Sequence, residues 1–173
     1  MITKWWKRTV QQLLGNAFAD IAYGYDVSLK STNGTVYYAS GYAPSQRYTS
    51  LTTNAQSAGI SVGTGDTAAT DEDYILENTI TTGLSMTSTT VKSMQNNLPS
   101  VTLNCVFSNT TASDIIIKEI GYKYNLWVAN AVGGTAGGNR IFLLDRTVLS
   151  TPLTVPARGN AALLYTLKTE YTM

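Results

Sequence analysis

The chain has 173 residues, 43% of them hydrophobic, with 12 Lys plus Arg against 11 Asp plus Glu and no histidine. That length suits one domain with an appendage, and such a chain buries ~70% of its unfolded surface, so no disulfide staple is required. The near-neutral charge excludes nucleic-acid binding as a main task, because phosphate neutralisation needs clustered Lys and Arg. Charged residues make up only 13% of the chain, about half the usual share. Thr, Ser, Asn and Gly take the polar positions instead. Surfaces of that kind suit packing against neighbours, because few charges then need desolvating.

Residues 2–22 carry helical periodicity. Trp6, Val10, Leu13, Ala17 and Ile21 fall on one stripe, which Leu14 and Phe18 widen, while Lys4, Lys7, Arg8, Gln11 and Gln12 take the other side. This predicts an amphipathic helix capped by Thr3. An isolated helix of this length is marginal in water and needs a surface to lie on. Trp5 and Trp6, beside Lys4, Lys7 and Arg8, fit three such surfaces: a partner or second copy, the protein's own sheet, or a membrane face. Docking or self-association is the leading expectation, through Trp5, Trp6, Val10, Leu13, Leu14 and Phe18. No membrane partner is expected. No stretch reaches the ~20 apolar residues of a membrane span. QQLLGNAFAD is too polar for the core of a signal peptide, so synthesis and folding in the cytoplasm are expected.

Residues 23–42 read as a hairpin. Asp26–Lys30 alternates, Asn33-Gly34 is the favoured type I′ pair, and 35–39 returns. Residues 43–59 are polar and turn-rich, and 60–63 form a short strand. The run 63–80, GTGDTAATDEDYILENTI, predicts a turn and one helical turn, with Asp71, Glu72 and Asp73 at its start. Residues 83–100 predict a Thr/Ser-rich strand and then a loop ending at Pro99. The runs 101–124 and 141–169 follow a near-repeating pattern, each a pair of strand-like runs around a polar or Pro/Gly turn. Between them, ANAVGGTAGGNR at 129–140 predicts a long mobile loop. The last turn is expected through Val155–Asn160. Seven to nine strands result, which is a sandwich number.

No residue set carries catalysis, and no cofactor is expected. Cys105 shares an alternating face with Val101, Leu103 and Phe107, which predicts a small buried core residue. With no histidine to activate it, it makes a poor nucleophile. Asp66, Asp71, Glu72, Asp73 and Glu77 supply oxygen ligands but lack EF-hand spacing, so turn capping is expected and no metal. Gly63-Thr64-Gly65 lacks the rest of a dinucleotide fingerprint, and Gly133-Gly134 and Gly137-Gly138 lack the Lys of a P-loop. Among the eleven tyrosines, Tyr23, Tyr25, Tyr37, Tyr38, Tyr42 and Tyr48 crowd one region. They suit a partner interface, with Tyr37 and Tyr42 as the binding residues, or cross-strand pairing within one sheet. A host-glycan-binding face is the alternative of another class.

Three segments carry a resemblance over about residues 60–168. The first holds Gly63, Thr64, Gly65, Thr67, Thr70, Asp73, Leu76 and Glu77. The second holds Asn109, Thr110, Ile117, Glu119, Ile120 and Gly121. The third holds Arg146, Val148, Leu149, Pro152, Val155, Pro156 and Gly159. In order and spacing they resemble β-sandwich structural proteins of tailed-bacteriophage virions. Arg158 departs from the pattern, standing at a turn position where a glycine or small residue is usual. The matching glycines read as backbone devices: Gly121 for a tight approach or bulge, Gly159 for a turn conformation that other residues resist.

The expected fold is mainly β: an antiparallel β-sandwich, jelly-roll or Ig-like, at residues 23–173, with an amphipathic α-helical arm at 1–22. The resemblance implies a non-enzymatic virion part, made in the host bacterial cytoplasm and acting through protein–protein assembly. A capsid-associated decoration or minor head protein is the first expectation, and a head–tail connector or tail protein the alternative. The implied partners are other virion proteins, capsid or connector/tail subunits, together with further copies of the chain as a homo-oligomer.

Overall fold

A computed structural model describes residues 27–39, 59–95, 98–131 and 136–168. Among the described residues the chain is mainly β and holds no helix. Eight strands form two antiparallel sheets. They are β1 (Val27–Lys30), β2 (Val36–Ala39), β3 (Gly59–Gly63), β4 (Leu84–Gln95), β5 (Leu98–Asn109), β6 (Ile115–Ala131), β7 (Ala136–Val155) and β8 (Asn160–Lys168). The first sheet runs β1-β2-β6-β3, with β7 also paired to β6; the second runs β4-β5-β8. The arm residues Trp5, Trp6, Val10, Leu13, Leu14 and Phe18, and also Tyr42, lie outside the described residues.

The chain divides into two compact units: residues up to Thr79 with Lys118–Ser150, and Ile80–Ile117 with Thr151 onward. The first unit buries Tyr37, Val62, Leu76, Ile120, Tyr122, Tyr124, Phe142, Leu143 and Leu144. Phe142 sits between Tyr124, at 5.7 Å between ring centroids, and Tyr37, edge-on at 6.4 Å. The second unit buries Leu103, Cys105, Phe107, Ile117, Val155 and Tyr165. In β5 the period of two is plain: Leu103, Cys105 and Phe107 are buried, while Asn104 and Val106 are exposed. Each large apolar side chain withdrawn in this way contributes ~1.5–3 kcal/mol.

Several local expectations are corrected. The β1–β2 connection is not a type I′ turn, which needs positive φ at both central residues. Only Gly34 has it, at 85°. The Gly34 amide donates to Ser31 O (2.9 Å) and the Ser31 amide to Thr35 O (3.0 Å). This is the three-residue loop Thr32-Asn33-Gly34 with glycine at the left-handed position. Asn33 Oδ1 accepts the Thr35 amide at 2.9 Å, so the asparagine braces the turn by its side chain.

Residues 71–78 form turns and no helical turn, because the carboxylates of Asp73 and Glu77 are drawn to Arg146, as described below. The glycine-rich run 129–140 is not one long loop. β6 continues to Ala131 and β7 begins at Ala136, since glycine weakens a strand without barring its backbone pairing. Pro99 lies within β5, in register with Met94 of β4; it precedes Ser100, where the β8 pairing begins. The runs 101–124 and 141–169 are not self-paired hairpins: β5 and β8 belong to one sheet, β6 and β7 to the other. At the β7–β8 turn Arg158, not Gly159, takes the left-handed conformation, with φ 58°. Gly159 serves by close approach instead, since a Cβ there would lie 3.1 Å from Pro156 Cβ.

Candidate functional site

The most organised polar cluster lies in the first unit and is built by the segment between β3 and β4. Thr64 N donates to Asn78 O (2.9 Å), and Gly63 bridges to Thr79, closing the loop 64–78 at its base. Inside that loop lies Glu119 of β6, with no solvent exposure. Its Oε1 accepts the amides of Asn78 (2.8 Å) and Gly65 (3.1 Å). Its Oε2 accepts the amide of Glu77 (3.1 Å) and Arg146 Nε (2.8 Å). Two carboxylate oxygens offer about four acceptor sites, so this carboxylate is saturated.

Arg146 of β7 is also buried. Beyond Glu119, its Nη1 donates to Asp73 Oδ2 (2.9 Å), and its Nη2 to Thr67 O (3.1 Å) and Glu77 Oε2 (3.4 Å). Asp73 and Glu77 are themselves anchored. Thr70 donates to Asp73 through its amide and hydroxyl, and Thr67 does the same to Glu77. Burial works against charge on Glu119, but the Asn78 amide, Arg146 and the Glu77 and Gly65 amides outweigh it and hold the carboxyl below its ordinary range. Burial likewise opposes charge on Asp73, and Thr70 and Arg146 overcome it, so this carboxyl too is lowered.

The glycines of the GTG run are required by this carboxylate. A Cβ on Gly63 would overlap Glu119 Oε1 and Asn78 O. One on Gly65 would lie 2.6 Å from Glu77 Cβ and 2.7 Å from Glu119 Oε1. Gly121 keeps its expected tight approach: a Cβ there would meet Leu76 Cδ2 at 2.8 Å, Leu143 Cδ1 at 2.9 Å and Asp145 O at 3.1 Å. Gly63, Gly65, Thr67, Thr70, Asp73, Leu76, Glu77, Glu119, Gly121 and Arg146 therefore meet in one place, although they come from three separate sequence segments.

A smaller staple holds the second unit. Asn109, buried at the end of β5, donates through Nδ2 to Ser113 O (2.8 Å) and Val155 O (3.0 Å). Its Oδ1 accepts the amide and hydroxyl of Thr111, both at 2.8 Å. It shapes the 110–114 turn and ties it to the end of β7.

Chemically, both clusters are closed. Each carboxylate of the first is hydrogen-bonded within it, so the geometry supports holding a loop more readily than moving a proton. Asp73 and Glu77, weighed above as cation ligands, face Arg146, and Asp66 pairs with Lys118 at 2.8 Å. Among the described residues no group of His, Cys, Asp and Glu is arranged to hold a metal ion. Cys105 is fully buried in the second unit, and burial pushes its thiol pKa up. Tyr37 is buried against Phe142, with the Arg140 guanidinium 5.2 Å from its ring centroid. Burial opposes ionisation of its phenol, but hydrogen bonding to Arg140 and Asn33 and the Arg140 charge lower its pKa.

The sheet β4-β5-β8 presents a different feature. Beside the row Ser93-Ser100-Lys168, which brings in a lysine, the registers place four cross-strand rows on the same face: Ser85-Ser108-Asn160, Thr87-Val106-Ala162, Thr89-Asn104-Leu164 and Val91-Thr102-Thr166. Every position in these four rows is exposed or half-buried, and none is charged. Leu164 is 71% and Val91 58% exposed. Thr102 and Thr166 link hydroxyls across the strands at 3.0 Å. Sequence reading expected Thr-rich sheet faces to suit packing against neighbours and named its binding residues on the arm and the tyrosines; it did not single out the residues of this face. The signal for it was the charge-free alternation of Ser85, Thr87, Thr89 and Val91.

The chain matches no family model, and no curated protein or solved structure is significantly similar to it. Among the described residues no helix is long and apolar enough to cross a membrane.

Proposed function

We propose that the protein is a non-enzymatic structural component of a bacteriophage virion, capsid-associated as a decoration or minor head protein, and that it acts through protein–protein assembly. The observation that carries this reading is the block of four uncharged, exposed or half-buried rows on one face of β4-β5-β8. Those four rows of Thr, Ser, Asn, Val, Ala and Leu can be covered by a neighbour without desolvating a charge within them. The finer fold in this reading is a β-sandwich, with residues 1–22 as a helical docking arm. A head–tail connector or tail position fits the same chemistry.

The two polar staples support the reading from another side. The residues that carry the resemblance hold loops onto strands: Glu119 and Arg146 the loop 64–78, and Asn109 the turn 110–114. Light scattering on the full-length chain and on a Trp5→Ala/Trp6→Ala variant tests the arm. The expected result is a closed oligomer or partner complex that the variant loses while keeping its far-ultraviolet circular dichroism. A variant that is unfolded would make the arm core, and this docking mechanism wrong.

A further inference from the structure

β4 stands out from the rest of its sheet. It is twelve residues long, and it pairs residue for residue with β5 from Leu84↔Asn109 to Gln95↔Leu98 without a bulge. Among the described residues it is an end strand of its sheet. Both of its faces meet solvent. Thr87, Thr89 and Val91 are exposed on the face of the four uncharged rows, and Met86 and Thr90 are exposed on the side that carries the buried Leu103, Cys105 and Phe107 of β5. Edge strands in native proteins are usually kept short, bulged, interrupted by proline or studded with charge to prevent pairing. β4 has no proline, no bulge and one charged residue, Lys92.

We infer that β4 is the joining strand of a twofold dimer, in which the β4 edges of two copies pair antiparallel and the β4-β5-β8 sheets run on into one another. The inference rests on the assembly reading above and names its partner: a second copy of this chain. Charge is the reason for that choice. A strand free of charge from Leu84 to Val91 offers nothing to a charged partner, whereas a copy of itself sets no two charges against each other. A twofold axis at Thr89 keeps matching faces together and sets Thr87 opposite Val91 and Met86 opposite Lys92. Lys92 therefore never meets Lys92. Closure by a twofold also explains how so long an edge avoids open-ended growth. The added ladder supplies affinity through main-chain hydrogen bonds, as in other strand-addition interfaces.

The axis makes Thr89 its own neighbour, with Cβ atoms ~5 Å apart across the junction. Thr89→Lys and Thr89→Glu are surface changes that leave each monomer's core untouched. Light scattering on the full-length chain should give an even-numbered oligomer, and each variant alone should give half that mass. An equal mixture of the two variants should recover the full mass, because Lys then faces Glu. If each variant keeps the wild-type mass, the β4 junction is wrong while assembly through another surface stands. A wild-type chain that is monomeric at its highest soluble concentration overturns the dimer, and co-purification with virus particles then decides the assembly reading by itself.

Discussion

Glu119 and Arg146, 27 positions apart in the chain, share a buried hydrogen bond of 2.8 Å, and the loop 64–78 is hung on that pair. A lone buried charge is costly, whereas a paired and fully hydrogen-bonded one is tolerated. Arg146→Met strands Glu119 and Asp73 without their cation and should lower stability by ~3–5 kcal/mol. Adding Glu119→Gln to that variant should cost less than it does in the wild type. Urea unfolding of the two single variants and the double variant measures this coupling, and purely additive losses would deny it.

Acid should loosen the same cluster. The carboxyls of Glu119 and Asp73 have folded pKa values below their unfolded ones, so the unfolded chain binds protons more readily. Their stabilisation is whole above the ordinary carboxylate range, ~4, and drains as pH falls through the lower folded values. Thermal unfolding between pH 7 and pH 2 should show a flat midpoint near neutrality and a steep fall below about pH 4. Arg146→Met should flatten that fall. A midpoint that falls between pH 7 and pH 5 would place the controlling groups elsewhere.

The β7–β8 turn holds a correctable strain. Arg158 has φ 58°, a conformation that costs a side-chain-bearing residue ~1–2 kcal/mol relative to glycine. Part of that gain is offset by the greater freedom glycine gives the unfolded chain. Arg158→Gly should therefore raise stability by ~0.5–1 kcal/mol. Gly159→Ala should lower it, because the new Cβ would meet Pro156 Cβ at 3.1 Å and Pro156 O at 3.3 Å. Calorimetry on the two variants checks both signs.

Cys105 should be silent in the native chain. It has no solvent exposure, and burial raises its thiol pKa, so both access and thiolate are lacking. A thiol-reactive dye should label it only at the rate of unfolding, and fast stoichiometric labelling of folded protein would contradict its place in the core.

Much of the architecture was legible because it rests on local signals. The period of two in 101–107 marked β5 and the burial of Cys105. The alternation around Asn33-Gly34 marked β1 and β2, although loop length and turn type depend on hydrogen bonds that the dipeptide does not specify. What stayed hidden was long-range. Residues 71–77 carry acids in the order a helix start favours, yet Arg146 recruits Asp73 and Glu77 from a distance and the helix does not form. The strongest available clue was Glu119 itself, a carboxylate set between Ile117, Ile120 and Gly121, which could be buried there only with a cation and amides around it. Sheet membership was equally long-range: the 101–124 and 141–169 runs look like hairpins, and their strands part into different sheets.

The central claim, that this chain is a structural part of a virion, is tested most directly by density-gradient purification of the particles produced in its host, followed by peptide mass spectrometry. The account predicts peptides of this chain in the particle band, at a fixed ratio to the other virion proteins and retained through repeated banding. Finding the chain only among the soluble proteins at the top of the gradient would contradict it.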